Sequence, residues 1–378
     1  MDQLRLRSAV QGIVCLIFAL GSASTLAQSN VAIYGIADAG LELSNHGKGS
    51  LTRVVSGGQF ASRLGFRGSE DLGDGLAALF RLEMGLNLDD GTLGQGGRIF
   101  GREAIVGLRS SRWGEVSLGR GVMPYYYAQS AVDAFVWSGS GGLLALTRGG
   151  GTVQQLLPLV VSGRLDNSVN YASPLLSGLQ LRAQAAAAEG STTIGRGYGA
   201  SARYTGGAWD VVAAMARQQG AGNVNGAALG YVLGGSYTLP FGRAYVGYTR
   251  EHNTCSTCTG PLTRGAGLAP GGASDFRMAN LGMRIPVDLF NLMWQVTRVQ
   301  DRSDYLSSPG SRDATWLAVG GEYLLSKRTS VYASIGTAGN SNGSAYALGT
   351  GSAQQPAGVV AAGDPRAKAM SVGLRHSF

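Results

Sequence analysis

The sequence predicts an all-β fold, a transmembrane barrel of about sixteen antiparallel strands, on three observations. The chain has 378 residues and 61 glycines, a share well above the usual value of about 7%. From residue 30 onward, segments of about ten residues with period-two alternation follow one another between turn signals. The connections alternate between short and long, as in bacterial barrels with short turns at one end and long loops at the other.

Sixteen segments carry the alternation, and turn residues separate them. Short connections such as DLGD and PFG alternate with long ones rich in Gly, Ser and Ala. The long ones include residues 123–163, 253–275 and 340–366. The segments cover residues 30–43, 58–70, 75–88, 100–111, 114–121, 164–174, 178–189, 199–206, 208–219, 227–239, 243–252, 276–286, 291–301, 315–325, 330–339 and 367–378.

The stretch SRLGFRGSEDLGDGLAALFRLEMG, residues 62–85, shows what the alternation means physically. Leu64 and Phe66 point to one side of their strand, and Arg63 and Arg67 point to the other. Strands in lipid must close on themselves, because every backbone polar group there needs an internal partner. An arginine on the lipid face at mid-bilayer would cost about 2–4 kcal/mol. The charged face therefore predicts an aqueous lumen, which about sixteen strands leave open.

A soluble β-sandwich with a polar outer face is the alternative fold, because its strands would alternate in the same way. A sandwich does not place its long loops so regularly at one end. The last strand also fits a barrel, since Met370, Val372, Leu374 and the terminal Phe378 share one face. The number of strands and the N-terminal segment favour the barrel as well.

The N-terminus is typical of a cleaved export signal. Two arginines precede a short apolar segment of residues 9–20, and small residues follow as far as Ala27. A transmembrane helix is the alternative, but the apolar run is well short of the ~20 residues that a helix needs to cross a bilayer. We therefore expect residues 1–27 to be a removed signal peptide and residues 28–378 to form the barrel.

Charge and motifs argue against nucleic-acid binding and catalysis. The formal net charge is +8, but the arginines are spread singly along strands, without a Lys/Arg-rich block or an aromatic–basic motif. A hydrolase needs a nucleophile–base pair, and His46, His252 and His376 suggest none. The sequence has no G-x-S-x-G elbow, and no metal-binding or phosphate-loop spacing. We expect no nucleic-acid partner, no cofactor, no metal and no enzymatic activity.

Two cysteines of the mature chain, Cys255 and Cys258, stand close together in HNTCSTCTG. Exported chains meet oxidising conditions, so we expect a small disulfide in the loop 253–275. Free thiols, a metal site and a redox pair are the alternatives. A metal site needs more ligands than the nearby His252 supplies, and a redox CxxC normally opens a helix.

The segments VAIYGIADAGLEL, SRLGFRGSEDLGDGLAALFRLEMGLNLDDG, IFGREAIVGLR and WGEVSLGRG together resemble one family, the general trimeric porins of Gram-negative outer membranes. The resemblance runs from about Val31 to Phe378, and the closing VGLRHSF is similar to the family's C-terminal strand, whose final Phe serves as an assembly signal. It implies a sixteen-stranded homotrimeric barrel in outer-membrane lipid. It also implies that the third outer loop, residues 123–163 here, folds into the lumen as a constriction.

The resemblance further implies which charges line that constriction. Four arginines and one glutamate stand where the family's motifs place charge on the wall. One more arginine shares a strand face with that glutamate, and one aspartate is the only acid of the loop 123–163. The expected set is Arg63, Arg81, Glu83, Arg102, Arg120, Asp133 and Arg164.

Some assignments are left open by the sequence. For each arginine, the alternative to a place in the constriction is a solvated position at the rim of the barrel or in a turn. Arg102 shares its parity with Ala104 and Val106, so alternation does not establish that Arg102 or Arg120 faces water. Many general porins also carry several carboxylates on the inward loop. Here the loop continues as an apolar, glycine-rich stretch, so the fold of residues 138–163 and the pore width are open.

The sequence therefore predicts a passive diffusion channel for ions and small hydrophilic solutes, sorted by pore width and rings of charge. Five arginines against two acids predict an anion preference, because a positive field in a narrow pore concentrates anions. A substrate-specific channel is the nearest alternative. One sequence does not show which residues would bind its substrate along the pore. An adhesin or structural barrel is less favoured, because it explains the loops but not the charged lumen.

Overall fold

The computed structural model describes most of the mature chain. The predicted signal peptide, residues 1–27, lies outside the described residues. Within the described part, no helix is both long enough and apolar enough to cross a membrane. The described residues are 30–148, 155–156, 163–189, 194–220, 226–254, 273–304, 312–350, 361 and 363–378.

The described residues are mostly strand. The helical segments are α1 (Gly94–Gly97), α2 (Pro124–Ala131) and a 3-10 turn (Gly139–Gly141). The strands are β1 (Asn30–Asn45), β2 (Ser50–Ser56), β3 (Arg63–Gly73), β4 (Leu76–Gly85), β5 (Glu103–Ser110), β6 (Gly114–Val122), β7 (Leu146–Arg148), β8 (Gln155–Leu156), β9 (Arg164–Ala172), β10 (Leu179–Ala186), β11 (Ile194–Gly206), β12 (Trp209–Gly220), β13 (Ala227–Leu239), β14 (Gly242–Asn253), β15 (Ser274–Val287), β16 (Phe290–Asp301), β17 (Arg312–Leu324), β18 (Thr329–Ser341), β19 (Tyr346–Leu348) and β20 (Arg366–Ser377).

The large sheet closes on itself through its first and last strands. On one side, β1 pairs antiparallel with β20 from Ile36 to Asn45. On the other side, residues 30–36 of β1 pair with β3 and residues 39–45 pair with β2. Thus β2 and β3 are two halves of one interrupted strand, and the predicted sixteen-stranded antiparallel barrel is confirmed.

Alternate residues of a strand face opposite surroundings, as the sequence predicts. On β1, Ile33 is 64% exposed on the outer surface, whereas Asp38 and Glu42 are fully buried inside the barrel. Phe66 lies opposite Ile33 on the neighbouring strand and therefore also faces outward. The Arg67 guanidinium lies over a tyrosine ring of the inner face, 5.1 Å from its centroid. The apolar residues thus face lipid and the charged residues face the interior.

Aromatic side chains border the apolar outer band at both ends. At the end with the short turns, the turn end, the outward rings of Trp209 and Tyr237 have centroids 4.6 Å apart. At the end with the long connections, the loop end, Tyr198, Tyr231 and Tyr248 are exposed on the outer surface. Aromatic girdles mark the two membrane–water interfaces of such barrels, so the band between them spans the hydrocarbon core.

The connection that follows β6 folds into the barrel, which confirms the expected inward third loop. The Tyr125 side chain of α2 is fully buried, and its hydroxyl donates to Glu251 Oε1 at 2.8 Å. Further along, the indole Nε1 of Trp316 donates to the Ser140 carbonyl at 2.9 Å. The wall makes room with glycine, because a Cβ at Gly230 would lie 2.7 Å from the Tyr125 ring.

The strand interruption between β2 and β3 holds the tip of this loop. The Asp38 carboxylate accepts the Phe60 N–H at 2.7 Å and the Tyr332 hydroxyl at 2.6 Å. These bonds shape the segment between the two half-strands, whose Gly58 carbonyl accepts the Gly139 N–H at 2.8 Å. The tip of the loop, at Gly139, is thereby attached to the wall at the interruption between β2 and β3.

The last long connection also folds inward, which the sequence does not predict. Its short strand β19 pairs with β7 of the third loop, with Tyr346 opposite Arg148. The Gly349 N–H donates to the Ala145 carbonyl at 2.8 Å. The structure therefore accounts for part of the stretch 138–163, as far as residue 148, and ties it to the final loop.

We expect Gly35→Ala to weaken the closure of the barrel. A Cβ at this position would lie 2.4 Å from the Phe378 ring and 2.6 Å from the Arg63 carbonyl oxygen. Such overpacking costs about 1–3 kcal/mol. The temperature at which the unheated, compact gel band disappears should fall. Gly339→Ala is the matched control, because its Cβ would meet only the Thr315 oxygen at 3.9 Å; equal melting of the two variants would contradict the expectation.

Candidate functional site

Charged residues from several neighbouring strands meet on the inner wall; we call Arg63, Glu83, Arg102, Arg120 and Arg164 the basic wall. The Glu83 carboxylate lies within it, accepting Arg102 Nε at Oε1 with a distance of 2.5 Å. Arg63 Nη1 lies 4.0 Å from the same oxygen. Tyr34 donates its hydroxyl to the other carboxylate oxygen at 3.1 Å. The single carboxylate of Glu83 is thus shared by two arginines, Arg63 and Arg102.

The other two arginines of the basic wall are fixed mainly by backbone carbonyls. Arg164 Nε donates to the Arg102 carbonyl at 2.8 Å, and Arg120 Nε donates to the Gly101 carbonyl at 2.8 Å. Arg120 Nη1 also donates to Asp166 Oδ1 at 2.5 Å. Within the described residues, Arg164 forms no ion pair with a carboxylate.

The structure shows where the side chains of Arg102 and Arg120 lie, which alternation left open. Arg102 precedes the start of β5 and lies in a bend, so the alternation of that strand does not extend to it. Arg120 lies where the register shifts between Gly119 and Gly121, with Gly119 at φ +124°. These two backbone irregularities let both side chains join the basic wall.

Arg81 faces inward, and its partners are acids outside the set that the sequence predicts. Arg81 Nε lies 3.3 Å from Glu103 Oε2, and its Nη2 donates to Glu115 Oε1 at 2.9 Å. Arg182 stands close by, with its guanidinium 4.9 Å from the Tyr127 ring centroid. A signal was available in the alternation, because Glu115 shares its face with Ser117 and alternates with the outward residues Val116 and Leu118.

Asp133 does not lie with these charges, which corrects the expectation that it faces the pore. Its carboxylate is fully buried. It accepts the backbone N–H groups of Phe135 and Trp137 at 2.9 Å each and of Leu143 at 2.8 Å. Burial raises the pKa of the Asp133 carboxyl to about 6. The residue organises the fold of the loop and does not line the lumen.

The third loop presents aromatic rings to the basic wall. The rings of Tyr126 and Trp137 have centroids 4.1 Å apart. The Arg164 guanidinium lies 5.2 Å from the Tyr126 centroid. The space between the basic wall and the third loop is the passage. It is bordered by fixed arginines on one side and by the aromatic surface of the loop on the other.

Positive charge exceeds negative charge around this passage. Arg98 joins the set by donating to Asp166 at 2.8 Å. This set has seven arginines and four carboxylates, a surplus of three positive charges. They are Arg63, Arg81, Arg98, Arg102, Arg120, Arg164 and Arg182 against Glu83, Glu103, Glu115 and Asp166.

Two other expectations concern metals and cysteines. Cys255 and Cys258 lie outside the described residues, so their disulfide stays a prediction. In the part of the chain that the structure describes, no group of three or more His, Cys, Asp or Glu side chains could hold a metal ion.

A closed barrel with an apolar outer band, a charged interior and an inward loop defines a channel protein of the bacterial outer membrane. A family model described as Gram-negative porin matches residues 13–343. The chain belongs to the Gram-negative porin family, as its sequence resemblance implied.

Individual porins are similar to this sequence along nearly the whole chain. An outer membrane porin protein of Bordetella pertussis is 28% identical, over 93% of this chain and 95% of its own length. Outer membrane porin protein 32 of Delftia acidovorans is 28% identical, over 97% and 99%. Among solved structures, an anion-selective porin from Comamonas acidovorans superposes with a TM-score of 0.75 at 25% identity, over 93% of this chain and 100% of that one.

We expect Gln295→Met to loosen the third loop while the barrel stays folded. Gln295 Oε1 accepts the Ala134 N–H at 3.0 Å, and its Nε2 donates to the Gly141 carbonyl at 2.9 Å. Losing both bonds leaves two buried backbone groups unpaired, at about 1–3 kcal/mol each. Single-channel recordings should show a noisier open-channel current with additional brief transitions.

The matched control for this variant is Gln300→Met. Gln300 lies on the same strand, but at a position of outward parity, so it cannot reach the loop. Its current should equal that of the wild type. An equally quiet Gln295→Met channel would show that these two bonds do not restrain the loop.

Proposed function

We propose that this outer-membrane porin conducts small anions and anionic hydrophilic solutes in preference to cations. The observation that carries the proposal is the surplus of three positive charges around the passage between the basic wall and the loop. The solved porin with 25% identity is described as anion-selective, which supports the same preference here.

The way in which the arginines are held makes them suited to attract passing anions. Arg63, Arg120 and Arg164 each direct Nε to a backbone carbonyl, at 3.0, 2.8 and 2.8 Å. These bonds orient the guanidinium groups before an anion arrives. For Arg164, the terminal nitrogens have no hydrogen-bond partner among the described residues. In a narrow passage with low-dielectric walls, such fixed charges raise the local concentration of anions.

Conduction of this kind needs no chemical step. Solutes move down their own gradients, and the barrel only sorts them by size and charge. We therefore propose no enzymatic activity. The mixed charges around Arg81, with Glu103 and Glu115, give no single solute a complete set of partners, so a general channel is favoured over a substrate-specific one.

We further propose that the protein is a homotrimer, inserted after removal of residues 1–27. The wall formed by β4, β5, β6, β9 and β10 is built from short strands, with 8 residues in β5 and in β10, against 12 to 14 residues in β12 to β18. A tilted strand needs about 9–11 residues to cross a bilayer. A neighbouring subunit that covers this low, apolar wall would remove its exposure to lipid.

In a potassium chloride gradient at about 0.1 M, where the Debye length is about 10 Å, the zero-current potential should show chloride preference. Arg63→Glu with Arg164→Glu changes the surplus of three positive charges to one negative charge and should reverse the sign of that potential. The preference should weaken at about 1 M salt, where the Debye length is about 3 Å.

Arg112→Glu with Arg328→Glu is the control for charge reversal, because both residues lie on exposed turns away from the passage. This control should keep the chloride preference of the wild type. A wild-type channel that already prefers potassium at low salt would refute the proposed selectivity.

The assembly is tested with unheated protein. It should migrate as an oligomer on a gel, change to a monomer after heating, and conduct in steps of three equal levels in a planar bilayer. Three neighbouring pores within one assembly would produce this pattern. Monomer migration without heating, together with unitary steps of a single level, would contradict the trimer.

A further inference from the structure

A cavity of about 720 Å³ lies on the inner wall of the barrel, toward the turn end. Its lining comes from β3, β4, β5, β6, β9 and β10, together with Tyr127 of the inward loop. Along β4 the chain runs from the turn end through Arg81 to Glu83, so the cavity lies on the turn side of the basic wall. Its volume is typical of ligand pockets, which measure roughly 300–1,000 Å³.

Strand register forms the floor of this cavity. Arg109 of β5 lies opposite Glu115 of β6. Ala172 of β9 lies opposite Glu115 on one side and opposite Arg182 of β10 on the other. The four residues therefore lie at one level across four neighbouring strands, which are about 4.8 Å apart. The Ala172 side chain is a single methyl group, so a hollow is left between Glu115 and Arg182.

Three arginines and two carboxylates line the cavity, a surplus of one positive charge. Arg81 Nη2 is paired with Glu115 Oε1 at 2.9 Å. The Asp71 carboxylate accepts a backbone N–H of its own turn at 2.9 Å. Arg109 and Arg182 form no ion pair with any residue that the structure describes. Two guanidinium groups are thus open to an anion.

Arg182 is held by neighbours that leave one of its nitrogens open. Its Nε and Nη2 donate to Gln180 Oε1 at 3.2 and 3.1 Å, and its guanidinium lies 4.9 Å from the Tyr127 ring centroid. Neither Arg182 Nη1 nor the Tyr127 hydroxyl has a hydrogen-bond partner in the described part of the chain. The Tyr127 side chain is 40% exposed. A carboxylate can therefore bind a guanidinium that is already oriented, and a ring can pack beside the tyrosine.

Apolar side chains complete the lining at the turn end. They are Leu76, Pro174 and Leu175, and Leu175 is 67% exposed. An aromatic ring gains more from this surroundings than an aliphatic ring of similar size. Guanidinium groups stack on aromatic faces, and pairs of aromatic rings attract each other beyond the effect of their contact area. The cavity thus matches a solute with one carboxylate and an aromatic body.

We propose that this cavity is a subsite for small aromatic carboxylates, with the carboxylate on Arg182 and the ring beside Tyr127 and the apolar lining. The inference deepens the proposed function and rests on it for delivery, because a solute from the loop end must first pass the basic wall. One guanidinium holds the charge of the solute, so the binding is weak and the pore remains a general channel.

The first test adds three acids to the wild-type channel from the turn end, where they reach the cavity without passing the basic wall. Benzoate should interrupt the current with a dissociation constant at least about threefold lower than that of cyclohexanecarboxylate, which has the same charge but no aromatic ring. Acetate should cause no resolved interruptions. Equal constants for the two ring acids would overturn the proposal, and stronger interruption by benzylamine would show a cation site at Asp71 and Glu115 instead.

The second test changes the two residues that bind the solute. Arg182→Gln should weaken the binding of benzoate about tenfold, because a hydrogen bond to a charged group is lost. Tyr127→Leu should remove the preference for benzoate over cyclohexanecarboxylate. The matched control is Arg284→Gln on β15, an inward arginine outside the cavity whose Nη2 contacts only the Met293 sulfur among the described residues. This control should bind benzoate like the wild type.

The zero-current potential of the same channels separates this inference from the proposed function. Chloride preference without selective interruption by benzoate would overturn the subsite alone. Potassium preference, with interruption by benzoate that Arg182→Gln weakens, would refute the proposed selectivity alone. Unchanged binding in Arg182→Gln, or an equal loss in Arg284→Gln, would also overturn the subsite. If the variants do not fold, the comparison of the three acids on the wild-type channel decides the question.

Discussion

The requirement that every backbone N–H and C=O in lipid finds a partner within the protein controls this structure. It forces β1 to pair with β20 on one side and with β2 and β3 on the other. Once the sheet is closed, each strand has an inner and an outer face, and a single alternation divides apolar from charged residues. The channel is thus a consequence of satisfying the backbone, and the sequence only decides which charges line it.

The inward loop meets the same requirement by different means. Among its described residues, 132–145 lie inside the barrel and belong to no strand. The partners come instead from wall side chains such as Gln295, Trp316 and Ser334, and from the buried carboxylate of Asp133. An acid that sequence counting assigned to the pore is therefore needed by the backbone of the loop.

Much of the barrel could be predicted from the sequence, because alternation is a local property. The faces of Arg63, Arg81 and Glu83 follow from it directly. It does not apply where the backbone leaves the regular pleat, at the bend before Glu103 and at the register shift beside Gly119. The second strand appears in the sequence as one segment, although the β-branched run of β2 was a signal that a half-strand precedes the break.

Other features of the site depend on contacts between residues distant in the chain. The pairing of β7 with β19 joins two loops almost 200 residues apart, and no periodicity reports it. This pairing has a consequence for protein engineering. Peptides are often displayed on the cell surface by insertion into an outer loop of a barrel. Here, an insertion between Tyr346 and Leu348 would disturb the channel interior. The exposed turn at Asp89–Gly91 belongs to neither β7 nor β19 and offers a permissive position for insertion.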